Sequence, residues 1–216
     1  MNAAEAKGPM LLPIPKGHNT FQSVVEQFQG SWRHNTKKPS VHHVYKIVLS
    51  PTSRQVYEAY RTSVELQRGL SMGNQRRRWH GSQRDCHIGD QGKTDLCNSS
   101  KCGICGIIRT SYQVSKAQRN ISFGRFGAGV YTTSTSSKAD SYAKNFSSAL
   151  TTKAMFLNYV VVGRGSKYMM DRVTLTGPPA GYDSVLGEVG LALNHDECIV
   201  YRDDAIRPAY LVTYDA

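Results

Sequence analysis

Apolar and polar positions alternate with two different periods along this chain. In FQSVVEQFQGSW (21–32), Phe21, Val24, Val25 and Phe28 recur at helical spacing, which predicts an amphipathic helix ended by Gly30. VHHVYKIVLS (41–50) reads as a strand. Ser50 and Pro51 then suit the N-cap and first turn of a second helix, with Val56, Tyr57, Tyr60 and Val64 as its buried stripe. Further on, VYTT (130–133) is a short strand. SSKADSYAKNF (136–146) is a helix whose apolar positions Ala139, Tyr142, Ala143 and Phe146 fall at i, i+3, i+4 and i+7. KAMFLNYVVVG (153–163) is a strong strand and GPPAGYDSV (177–185) a loop. ECIVYR (197–202) and RPAYLVTYDA (207–216) are two strands joined by a turn at Asp203 and Asp204. Helices early and strands late predict an α+β domain with a mainly antiparallel sheet. Gly124, Gly127 and Gly129 have the wrong spacing for a dinucleotide-binding fingerprint, and no βαβ alternation surrounds them.

Length and charge sharpen this outline. The 216 residues suit one domain, placed at 20–216 behind a flexible Pro/Gly/Ala-rich lead-in at 1–19. No apolar run approaches the roughly 20 residues that a membrane helix needs. The N-terminus lacks the basic start and apolar core of a signal peptide, so the expected location is intracellular, nucleus or cytoplasm. The formal charge of +11 is uneven: residues 1–80 hold 12 Lys+Arg against 4 Asp+Glu, and residues 81–216 hold 15 against 12. The basic first third peaks at Arg76, Arg77 and Arg78. A polyanion such as nucleic acid is one partner for it, and a solvated basic surface without aromatic stacking is the alternative.

Four of five cysteines cluster as Cys86-x10-Cys97-x4-Cys102-x2-Cys105, inside a Cys-rich insert at about 84–110. Inside a cell disulfides are disfavoured, and a Cys-x2-Cys pair points to thiolate-bound zinc. The irregular first spacing leaves buried free thiols and disulfides open as alternatives.

The small-residue stretch GAGVYTTSTSSKADSY (127–142) sets Tyr131 and Tyr142 at the two ends of a strand-to-helix turn, where two rings can face each other across a slot fit for a flat ring. WHGS (79–82), FGAGVY (126–131), SKADSY (137–142) and ECIVY (197–201) occur in the order seen in the poly(ADP-ribose) polymerase (PARP) catalytic-domain family, the diphtheria-toxin-like ADP-ribosyltransferases. FQSVVEQFQ, VYKIVL and YEAYR look like the tankyrase-type arrangement, which lacks a helical regulatory domain. The resemblance spans about residues 20–214.

It implies the ADP-ribosyltransferase fold, split antiparallel sheets flanked by helices. It also implies a His-Tyr-Glu triad at His80, Tyr131 and Glu197, with NAD+ as substrate. His80 would hold the adenosine-side ribose, Gly81 would offer backbone groups to the carboxamide, and Tyr131 and Tyr142 would sandwich the nicotinamide, with the small residues keeping the pocket open. Gly81 fits where backbone approaches a ligand. Ser82 is counted with the cofactor-binding residues, as are Arg119 and Arg125 of the donor loop AQRNISFGR and Lys138 near the acceptor. Two departures stand out. Ala139 replaces a serine that usually bonds the carboxamide, and the Cys-rich insert follows His80-Gly81-Ser82 directly, earlier than the tankyrase zinc loop. The activity implied is transfer of ADP-ribose to a protein or nucleic-acid acceptor; an NAD glycohydrolase and a non-catalytic NAD or ADP-ribose binding module are the alternatives.

Overall fold

Within the lead-in expected at 1–19, Met10–Pro13 make strand β1, paired antiparallel with β2 (Val41–Val48) through Met10↔Val48 to Pro13↔Tyr45. Pairing buries Leu11, and the outer edge tolerates Pro13, which has no N–H to donate. The computed structural model describes residues 8–36, 38–117 and 124–215. Helix α1 (Asn19–Gly30) starts where His18 Nδ1 accepts the Thr20 N–H at 3.0 Å, and it buries Phe21, Val24 and Phe28. Helix α2 (Pro51–Arg68) is capped by Ser50 Oγ and stopped by Gly69 at φ +64°. Its stripe is Tyr57 and Val64. Val56, counted in that stripe from sequence, is 49% exposed because it sits one position, about 100°, off the buried line.

A 3-10 turn leads into β3 (Gln75–Gly81), followed by β4 (Gln83–Arg84). After the Cys-rich loop come α3 (Gly103–Thr110) and α4 (Val114–Ala117). Then β5 (Val130–Thr132), α5 (Ser136–Asp140) and β6 (Lys144–Asn145) bring the chain to its last five strands. These are β7 (Thr152–Val161), β8 (Gly165–Tyr168), β9 (Ser184–Gly187), β10 (Glu197–Val200) and β11 (Ile206–Asp215). The strands form a five-stranded sheet, ordered β1-β2-β11-β7-β3, and a four-stranded one, β5-β10-β9-β8, and β4 pairs with β6. Every pair in the first sheet is antiparallel, while β8–β9 and β4–β6 are parallel. The two sheets meet where Trp79 and Thr133 exchange backbone hydrogen bonds at 2.8 and 3.0 Å.

ECIVYR and RPAYLVTYDA are strands joined by a turn, as read from sequence, and the 3-10 turn Asp203–Ala205 carries the chain from β10 in one sheet to β11 in the other. One sequence expectation changes here. The helix expected over 136–146 stops at Asp140, leaving Tyr142 61% and Phe146 52% exposed. Backbone pairing wins over helical periodicity, because Lys144 and Phe146 N–H groups bond to the carbonyls of Ser82 and Arg84.

Alternation along β7 builds two cores. Met155 and Leu157 face α1, with Phe21, Val24, Phe28, Trp79 and Tyr214. Ala154 and Phe156 face the insert, where Ile104, Cys105 and Ile108 of α3 cover Tyr45, Ile47 and Leu211. The Cys-rich insert is therefore a layer of the core and not a surface loop.

Candidate active site

The site grows from the free edge of β3. Because Trp79 spends its N–H and C=O on Thr133, the alternation of an antiparallel strand turns those of Gly81, two residues on, to the same open edge. Between them His80 turns its ring to β5: Nδ1 lies 2.8 Å from the Tyr131 carbonyl. A carbonyl only accepts, so Nδ1 carries the proton and Nε2 keeps its lone pair while the ring is neutral. Burial lowers the His80 pKa below 6.5, partly opposed by the Tyr131 carbonyl, and so favours the neutral ring. Tyr112 stands edge-on to His80 with ring centroids 5.2 Å apart.

Tyr131 lies opposite Ile199 in β10, two residues beyond Glu197, so the strand pairing brings the three residues of the expected triad together. The Tyr131 hydroxyl accepts the Phe126 N–H and donates to Gly127 O, both at 2.8 Å, and burial pushes its pKa up to about 12. The ring is thus fixed and the phenol stays protonated. Tyr142, just past the end of α5, is largely exposed, and its ring makes no aromatic contact with that of Tyr131.

Two of the glycines also answer to packing within the protein. A Cβ on Gly81 would lie 2.0 Å from Ala139 O and 2.7 Å from Ala143 N, so glycine is required by the backbone of the α5 segment itself. Gly127, at φ +69°, would place a Cβ 1.8 Å from Leu175 O. At these two positions glycine lets backbone segments approach closely. Ala139 is buried in the cluster beneath α1.

Glu197 opens β10 and is 8% exposed. Its Oε1 accepts from Lys138 Nζ at 2.7 Å; Oε2 is buried with no partner. Lys138, at the middle of α5, also donates to the carbonyls of His195 and Asp196 at 3.1 and 3.3 Å. Asp196 in turn accepts from Ser134 Oγ and Thr133 Oγ1, tying the start of β10 to the end of β5. A buried carboxylate oxygen without a donor is costly, and a ligand hydroxyl would satisfy it.

Other candidates fall elsewhere. Arg125 is held by Asp171 at 3.1 Å and by the Ala192 carbonyl at 2.8 Å, so its guanidinium is already engaged. Arg119 lies outside the described residues, as does most of its loop. Ser82 turns its hydroxyl to the start of α3, 2.3 Å from where a Cβ on Gly103 would sit. Arg76 is exposed. Arg77 lies over the Tyr210 ring at 5.8 Å and Arg207 over Tyr159 at 4.8 Å, an aromatic company that the sequence reading did not find. Sequence reasoning also missed the paired rings of His34 and His195, tilted at 46° with centroids 4.7 Å apart, beside Lys138 and anchored by His34 Nδ1 to Ser137 Oγ at 2.7 Å.

The Sγ atoms of Cys86, Cys97, Cys102 and Cys105 lie within 4.8 Å of one another. Cys198 is separate, buried against Thr132, with its thiol pushed up to about 11 by burial.

Comparison with known families agrees with this geometry: the poly(ADP-ribose) polymerase catalytic domain matches residues 18–192. The chain belongs to that family of NAD+-dependent ADP-ribosyltransferases. The match includes His80, Gly81, Tyr131 and Tyr142 and ends five residues before Glu197, whose place rests on strand pairing alone. No curated protein matches the chain.

Proposed function

We propose that this chain cleaves the nicotinamide–ribose bond of NAD+ and transfers ADP-ribose to an acceptor, with His80, Tyr131 and Glu197 as its central residues. The observation that carries this reading is the bare, buried Oε2 of Glu197 beside an Oε1 already fixed by Lys138. One oxygen is anchored, and the other waits for a hydroxyl.

In this reading the carboxamide bonds to the Gly81 N–H and C=O, while the nicotinamide ring lies between Tyr131 and Tyr142. His80 Nε2 accepts from a hydroxyl of the adenosine-side ribose, and Glu197 Oε2 accepts from the reacting ribose. The C1′–N bond then breaks with its electron pair going to the ring, so nicotinamide leaves neutral and positive charge develops on the ribose. A fixed carboxylate beside that charge stabilises the oxocarbenium-like transition state. The acceptor's nucleophile forms the new bond to C1′ and releases its proton.

The excess positive charge of residues 1–80 supports an anionic acceptor, a nucleic acid or an acidic protein surface, met inside the cell. The four clustered cysteines we assign to a structural Zn2+. Incubation with radiolabelled NAD+ tests the reaction. Label on protein or nucleic acid is the expected result, free ADP-ribose alone would make the chain a glycohydrolase, and unchanged NAD+ would reduce it to a binding module.

A further inference from the structure

We propose that Cys86, Cys97, Cys102 and Cys105 bind one Zn2+ and that this ion, through α3 and Tyr112, braces His80 from behind for NAD+ binding. The second half rests on the role given to His80 above.

The sulfur geometry favours a shared ion. Cys86 Sγ lies 3.8 Å from Cys102 Sγ and 3.6 Å from Cys105 Sγ. A tetrahedral thiolate site with Zn–S of about 2.3 Å has edges of about 3.8 Å, whereas a disulfide needs about 2.05 Å. Soft sulfur ligands in a tetrahedron select zinc over hard cations. The surroundings are built to match. The Asp85 N–H points at Cys102 Sγ at 3.5 Å, Asp85 accepts from Ser99 Oγ, and Arg109 Nη2 donates to the Cys97 carbonyl at 2.7 Å. Arg84, fully buried, bonds to Ile88 O and Asp90 on one side and to Thr152 on the other, so the loop carrying Cys86 is tied to β7.

A continuous path leads from these sulfurs to the site. Cys102 caps α3 and Cys105 lies in its first turn. The helix ends after Thr110, and Ser111, at φ +60°, turns the chain so that Tyr112 folds back into the core. There the Tyr112 ring meets His80 edge-on, and its hydroxyl donates to Asn158 Oδ1 at 2.8 Å. Asn158 Nδ2 donates to Arg78 O at 3.0 Å, on the strand that carries His80. Tyr131 thus fixes one nitrogen of the imidazole and Tyr112 its side. Tyr112 is a positioning residue, and the metal fixes the helix that delivers it.

The test uses the full chain and reads three quantities: metal content, the His80 imidazole resonance (assigned with His80→Gln) and NAD+ affinity by calorimetry. One equivalent of zinc is expected, and Co2+ in its place should give the absorption bands of a tetrahedral thiolate site. Chelation should shift the His80 resonance and weaken NAD+ binding about tenfold, the value of one well-oriented hydrogen bond, with zinc reversing both. Tyr112→Leu should keep its zinc, bind NAD+ about tenfold more weakly and lose the response to chelation; Tyr112→Phe, which keeps the ring, should still respond. If chelation unfolds the chain, the Tyr112→Leu protein decides the matter alone: full zinc with wild-type affinity and an unmoved His80 resonance overturns the brace. Absence of metal overturns the site. If NAD+ binds to none of these proteins, the transfer reading fails, and the His80 resonance still decides the brace.

Discussion

Lys138→Met isolates the pair on which the site depends. Lys138 and Glu197 are 2.7 Å apart with side chains 15% and 9% exposed, so the substitution leaves a nearly buried carboxylate with both oxygens bare. Removing one partner of a buried ion pair costs about 3–5 kcal/mol; some remaining solvent access puts this case near the lower end, about 3 kcal/mol. Glu197→Gln is milder, about 1–2 kcal/mol, because Lys138 keeps two backbone carbonyls at 3.1 and 3.3 Å. The double variant carries no stranded charge and should be more stable than Lys138→Met alone, by about 1 kcal/mol. Urea unfolding of all four proteins, at constant m-value, measures the cycle. Costs that simply add, with the double variant the least stable of the four, would refute a coupled buried pair.

Gly81→Ala forces a Cβ to within 2.0 Å of Ala139 O and should displace the α5 segment, costing about 1–3 kcal/mol and abolishing measurable NAD+ binding by calorimetry. Arg84→Met removes the guanidinium that bonds to Ile88 O, Asn145 Oδ1, Thr152 and Asp90; because Asp90 keeps Thr152 Oγ1 and His87 as donors, the cost should fall at the lower end for a broken buried pair, about 3 kcal/mol by urea unfolding. Burial holds the native His80 pKa below its unfolded value of 6.5, so between the two values the unfolded chain binds the extra proton. This group therefore takes nothing from stability above pH 6.5, and its destabilising effect grows as pH falls below that value toward the native one. NAD+ affinity followed by calorimetry from about pH 8 down to about pH 5 should hold until His80 protonates and then fall, and His80→Gln should remove that fall.

Much of this was legible in the order of short motifs. VYTT and ECIVYR are dense enough in strand-forming residues for local pattern to place them on strands, whereas β3, which carries Trp79, His80 and Gly81, was not read from its arginine-rich sequence. The cysteine spacing likewise foretold the cluster of four sulfurs. What sequence concealed is set by contacts between distant residues. The α5 helix is cut short because Lys144 and Phe146 find backbone partners in Ser82 and Arg84, about 60 residues earlier. Strand β1 exists because Leu11 has a place under β2, which no local rule announces in MLLP. Arg84 drew no notice in the sequence, because its buried place is set by acceptors that only the fold gathers around it. His195 and His34 meet only through tertiary packing. Lys138, marked by its motif as near the acceptor, owes its grip on Glu197 to the curl of residues 195–197 around its ammonium group.

Glu197→Gln bears most directly on the proposed chemistry, since it preserves shape and removes the negative charge. NAD+ affinity by calorimetry and nicotinamide release should be measured on the same folded preparation. The account predicts affinity within a few-fold of wild type and release slowed about 10²- to 10³-fold, the usual loss for one preorganised electrostatic contact. A folded Glu197→Gln protein that releases nicotinamide at close to the wild-type rate would contradict it.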